Sequence, residues 1–117
     1  VFANGILTDG FKSESIYKTN DHRSAWLKGE RKKNIIKQKE LLEKLSKDNI
    51  SKLAMDFAMH YKMFDKFIFG FRTGGQFESF IYNLKNLKPL NNSIIKKVIY
   101  LHKKNKFFLN KKLCYNN

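Results

Sequence analysis

The residues best placed to do chemistry lie in the run Phe67-Ile68-Phe69-Gly70-Phe71-Arg72-Thr73-Gly74-Gly75-Gln76. A short apolar run closes on a glycine, an arginine follows, and a glycine pair leads into a helix. That order points free backbone N–H groups at an anion, and Arg72 adds a permanent positive charge beside them. The plainer role for Arg72 is a surface side chain bonded to helix carbonyls. Other candidates carry less. His22, His60 and His102 stand on separate segments with no cysteine or carboxylate at ligand spacing, so they read as structural or surface residues and no metal site is expected. Asp56 and Asp65 have no second carboxylate at a defined spacing and read as solvated or capping groups. Met55, Met59 and Met63 recur at helical spacing, which ordinary packing explains. Cys114 is alone, which excludes an intramolecular disulfide and fits a reducing cytoplasm.

These residues need elements to position them. Val1 to Gly10 is an apolar stretch ending in a glycine turn and is read as a strand. Lys12 to Arg23 is polar, without periodicity, and reads as a loop. Asp21 is a candidate N-cap for a helix from Ser24 to Ser46, with Ile35, Leu42 and Leu45 on one face and Leu41 beside them. Ser51 to Lys62 is amphipathic, with Asp48, Asn49 or Ser51 as its cap. Phe67 to Phe69 fits a strand buried on both faces. Helices follow Gly74-Gly75, with Phe77, Phe80, Ile81 and Leu84 on one side, and Ser93, with Ile94, Ile95, Val98, Ile99 and His102. Strands alternating with helices predict an α/β fold around a parallel sheet. Two strands alone would leave open edges, so either the chain is a fragment or the strand reading is wrong. The opening residue is Val1 rather than Met, which reads as a chain processed, trimmed or cut from a longer protein.

Three segments carry a family resemblance. Residues 53–87, LAMDFAMHYKMFDKFIFGFRTGGQFESFIYNLKNL, resemble the last β/α unit of aldo-keto reductases, with Ile68, Gly70, Arg72 and Gln76 at the corresponding places. Ala3-Asn4-Gly5-Ile6-Leu7-Thr8 is similar to the family's seventh strand, and Asn20-Asp21-His22-Arg23 to a segment before the next helix. The family's turn proline is Phe69 here, its Pro-Glu is Gly74-Gly75, its Glu-Asn is Ser79-Phe80, and Asp9 replaces a glycine.

The resemblance implies the C-terminal part of a (β/α)8 TIM barrel: about the last two β/α units and the C-terminal helix over residues 1–102, then a basic tail over 103–117. It implies an NADPH-dependent oxidoreductase that reduces the carbonyl group of an aldehyde or ketone. Phe2, Asn4, Gly70, Phe71, Arg72 and Gln76 would bind the cofactor, with Arg72 on its 2′-phosphate. No residue matches the family's catalytic Asp, Tyr, Lys and His, so the chain alone is expected to be inactive.

The charge invites a different reading. With 24 Lys and Arg against 10 Asp and Glu, the 117 residues carry a formal +14. Such an excess is the footprint of a nucleic-acid or anionic-surface binder. Only Arg23, Arg31 and Arg72 are arginines, however, and the abundance of Lys, Asn, Ile and Phe also fits codons rich in A and T. A specific reader of nucleic acid is therefore not expected, because arginine is the residue that pairs bidentately with guanine and phosphate. No apolar run approaches the ~20 residues of a membrane span, so no membrane is expected either. The alternative to the reductase is a small basic helical nucleic-acid-binding module, or an inactive truncated gene product.

Overall fold

Local capping chemistry marks where three of the longer helices begin. Asn49 Oδ1 accepts the Lys52 amide at 2.7 Å, Thr73 Oγ1 accepts the Gln76 amide at 3.3 Å, and Asn91 Oδ1 accepts the Ser93 amide at 2.9 Å. Each serves an N–H near the helix start that no carbonyl of its own helix can reach. The computed structural model describes residues 2–47, 49–60 and 65–105. In them the chain forms α1 (Arg23–Trp26), α2 (Gly29–Glu43), α3 (Ile50–His60), α4 (Gly74–Lys85) and α5 (Asn92–Asn105). The expected cap Asp48 and the residues Val1, Met63 and Cys114 lie outside the described residues, as does the tail beyond Asn105.

Among the described residues there is no β-strand. The α/β reading, as the C-terminal part of a (β/α)8 TIM barrel, is therefore corrected to an all-helical fold. The resemblance to aldo-keto reductases does not extend to architecture. Both expected strands fail for local reasons. At the first, Ala3, Asn4 and Gly5 take φ values of 48°, 57° and 86°. Three successive left-handed residues cannot lie in a pleated strand, and Asn-Gly favours that geometry. Tight bonds close the turns instead, from Gly5 N to Phe2 O at 3.0 Å and from Ile6 N to Ala3 O at 3.2 Å. At the second, residues 66–71 carry no ladder, and Ile68 is 92 % exposed where a doubly buried strand would hide it.

The predicted helix from Ser24 to Ser46 is interrupted. Leu27 turns into the core with ψ 65°, Lys28 is extended, and Gly29 takes φ 54° before α2 starts. Burying Leu27 thus outweighs helix continuity. It packs with Ile6 and Phe11, and Tyr17, Trp26, Ile35 and Ile36 surround them. A second buried group lies on α3, where Ile50, Leu53 and Met55 are enclosed, while Met59 is exposed. Packing between helices is sparse, and α3 lies mainly against α4.

Buried charge completes the interior. The Lys39 ammonium donates to the Thr8 carbonyl at 2.9 Å and to the Phe11 carbonyl, pairs with Glu43 at 3.3 Å, and stands 5.3 Å from the Phe11 ring. On α3, Lys52 pairs with Asp56 at 2.7 Å, and the other Asp56 oxygen accepts the Lys88 amide at 3.3 Å. Lysine is almost never buried without such partners. Replacing Lys39 with Met keeps the stem's volume and orphans the two carbonyls. Urea unfolding of Lys39→Met should show a loss of about 2–3 kcal/mol. An unchanged midpoint would mean that the amine does not hold the turns.

Candidate functional site

The six residues expected to bind a cofactor do come together. Phe2, Asn4, Gly70, Phe71, Arg72 and Gln76 all line one open groove of about 1360 Å³ between the N-terminal turns and the stretch leading into α4. Its floor is aromatic. Phe2 and Phe69 lie 5.5 Å apart, Phe69 and Phe80 4.5 Å, and Phe71 and Phe80 4.9 Å. Apolar rings that would have filled a sheet's two faces pack on one another instead.

The polar residues among the six have partners inside the protein. Gln76 is the reciprocal half of a capping arrangement: its amide reaches Thr73 Oγ1, and its Oε1 accepts the Arg72 amide at 2.8 Å. The Asn4 carbonyl accepts from Arg23 Nη1 at 3.3 Å. A Cβ built on Gly70 would meet open space, so nothing here demands a glycine for close approach. Arg72 Nη1 is 3.6 Å from Asp21 Oδ2.

Asp21 is the hub of this corner. Arg23 clamps it with Nε on Oδ1 at 2.9 Å and Nη2 on Oδ2 at 2.6 Å, and the Arg23 amide also donates to Oδ1 at 2.9 Å. Asp21 therefore stands one residue ahead of the α1 cap, His22, and serves the arginine as much as the helix. The Arg23 bonds hold its carboxyl well below the ordinary carboxylate range, and the same bonds push the Arg23 guanidinium up. The Arg23 guanidinium also lies 4.0 Å from the Tyr17 ring centroid.

This groove does not make a nicotinamide site. The reductase reading rests on barrel strands whose ends place the cofactor against a carbonyl, and the described residues hold helices alone. The oxidoreductase activity, the TIM barrel and NADPH as cofactor are corrected together on that ground. Among the described residues no group of three or more His, Cys, Asp or Glu is placed to hold a metal ion. His22 instead lies beside Trp26, with ring centroids 6.3 Å apart. No family model matches the chain, and neither does any curated protein or solved structure.

A second surface lies on α5, which carries none of the six residues expected to bind the cofactor. After Glu78 the sequence holds no Asp or Glu, yet it holds nine lysines. Four of them, Lys96, Lys97, Lys103 and Lys104, are exposed on α5 around Tyr100. The opposite side of α5 holds Ile94, Ile95, Val98, Leu101 and His102, all buried or half-buried. The spacing of Ile94, Ile95, Val98, Ile99 and His102 made that helix legible, although Ile99 is 37 % exposed, and the helical repeat places the four lysines together. No helix among the described residues is long and apolar enough to cross a membrane.

The Asp21 arrangement makes a pH-dependent claim. A carboxyl with a depressed folded value contributes stability that is complete above its ordinary value of 3.8 and is lost as pH falls through and below it. Thermal unfolding of Asp21→Asn should therefore vary less with pH than the parent between about pH 5 and pH 2. Parallel curves for the two proteins would show that Arg23 does not hold Asp21 as described.

Proposed function

We propose that this chain is a small basic helical module that binds nucleic acid through its phosphates and does not read base sequence. One observation carries the reading: the outward face of α5 is a block of lysines with no carboxylate on the helix to neutralise it. Codon bias explains many lysines, but it does not explain their segregation onto one side of one helix. It also does not explain the loss of every acidic residue from Ser79 onward.

The residue types set the mode of binding. Lysine is a point charge that meets phosphate oxygens without geometric discrimination, while arginine, asparagine and glutamine read base edges. The outward side of α5 offers lysines and Tyr100, which suits backbone contact. A lipid surface would instead take a helix by its apolar side. On α5 that side is largely covered: Ile95 is buried and Ile94, Val98 and Leu101 are half-buried, with Ile99 exposed at its edge. The cytoplasmic setting expected from the lone Cys114 belongs to the same proposal.

Phosphate binding releases condensed counterions, so affinity must fall steeply with salt. Fluorescence anisotropy with a labelled duplex over a salt series tests this directly. Replacing Lys96, Lys97, Lys103 and Lys104 together with Gln should lower the slope of log K against log salt by about 0.9 for each phosphate no longer neutralised. Scrambling the duplex sequence should leave affinity unchanged. An unaltered slope in the variant would remove α5 from the interface, and absence of binding by the parent to both duplex and single strand at low salt would end the reading.

A further inference from the structure

On an α-helix, the neighbours of a residue on its own face stand three and four positions before and after it. For Tyr100 those four positions are Lys96, Lys97, Lys103 and Lys104. An aromatic ring thus sits at the centre of a lysine quartet. It is 58 % exposed, and the Lys104 ammonium stands 5.7 Å from its centroid. The two lysine pairs lie about 10 Å apart along the helix axis, one on each side of the ring.

An exposed tyrosine ring presents a flat apolar face with a polar tip. The charge around this ring excludes most apolar occupants, because docking one would strip water from four ammonium groups. An occupant must bring a flat apolar face together with flanking negative charge. A nucleotide strand with unpaired bases has that chemistry: the base stacks on the ring, and the phosphates on either side meet the lysines. A duplex offers the same phosphates but keeps its bases stacked inside, so Tyr100 would gain nothing from it.

We infer that Tyr100 is a stacking platform and that the preferred ligand is single-stranded nucleic acid. This inference rests on the nucleic-acid reading above and narrows it. The aromatic supplies affinity for unpaired bases without choosing among them, since every base has a π-face. The lysine quartet supplies the electrostatic part shared with duplex.

The test compares a labelled single-stranded oligonucleotide with a duplex carrying the same number of phosphates, using the full chain. The parent should bind the single strand more tightly. Tyr100→Ala should weaken single-strand binding about tenfold, in line with the loss of one stacked base, and leave duplex binding and both salt slopes unchanged. Tyr100→Phe should retain the parent's preference, which separates stacking from the hydroxyl. Because Tyr100 is exposed, the helical circular dichroism of both variants should match the parent, and a variant that loses it is replaced by Tyr100→Gln for the same comparison. Equal affinity for the two ligands, or an equal loss on both in Tyr100→Ala, overturns the stacking inference while salt-dependent binding keeps the broader reading. Failure of the parent to bind either ligand overturns both.

Discussion

A primary ammonium out of water must be surrounded by acceptors, and the architecture of the N-terminal half follows from meeting that demand at Lys39. The carbonyls of Thr8 and Phe11 turn toward it only because the preceding residues coil through left-handed turns. Coiling there brings Ile6 and Phe11 against Leu27, and burying Leu27 breaks what would otherwise run as one long helix. The hydrophobic contacts supply the larger share of the stabilisation, since apolar area contributes roughly 25 cal/mol per Å². The ammonium supplies direction: it allows one placement of the turns and penalises the others. Lys52 and Asp56 play the same part on α3, where their pairing leaves one carboxylate oxygen for the backbone of Lys88.

The two candidate surfaces differ in how their charge is managed. At the groove, the arginines face a carboxylate. Arg23 encloses Asp21, and Arg72 approaches the same side chain from beyond it. This is charge used to join elements. On α5 the lysines have no carboxylate on the helix or anywhere after it in the sequence. Like charges at helical spacing repel and weaken the helix slightly. The apolar side, with Ile95 buried, offsets that repulsion. Charge held at some cost on a presented face is what the proposed phosphate contact rests on.

Much of the helical content was legible in the sequence. The periodic apolar residues of α3, α4 and α5 marked those helices, and Asn49 was among the expected caps. The expected strands failed because three apolar residues, Phe67 to Phe69, cannot reveal whether a sheet or an aromatic cluster will receive them. The break at Leu27 was hidden because its cause, burial against residues some twenty positions earlier, is tertiary. The family resemblance misled for a physical reason. Asn4-Gly5 and Thr73-Gly74-Gly75-Gln76 suit an anion-binding strand end, and they suit a left-handed turn and a helix cap equally well. Both structures ask for flexible backbone and exposed N–H groups. Arg72 was likewise ambiguous until Asp21 appeared beside it.

The bonds from Lys39 to Thr8 and from Asp56 to Lys88 join residues 31 and 32 positions apart. The two spans follow each other along the chain and do not overlap. Longer contacts tie these two spans together: Ser51 Oγ donates to the Leu7 carbonyl at 3.3 Å, Phe69 packs on Phe2, and Arg72 reaches Asp21. Contacts of such separation raise the contact order, so the N-terminal turns close fully only once α3 and the stretch before α4 are in place. The backbone amides of α2 and those of α3 should therefore exchange with solvent as one cooperative group with a shared opening free energy.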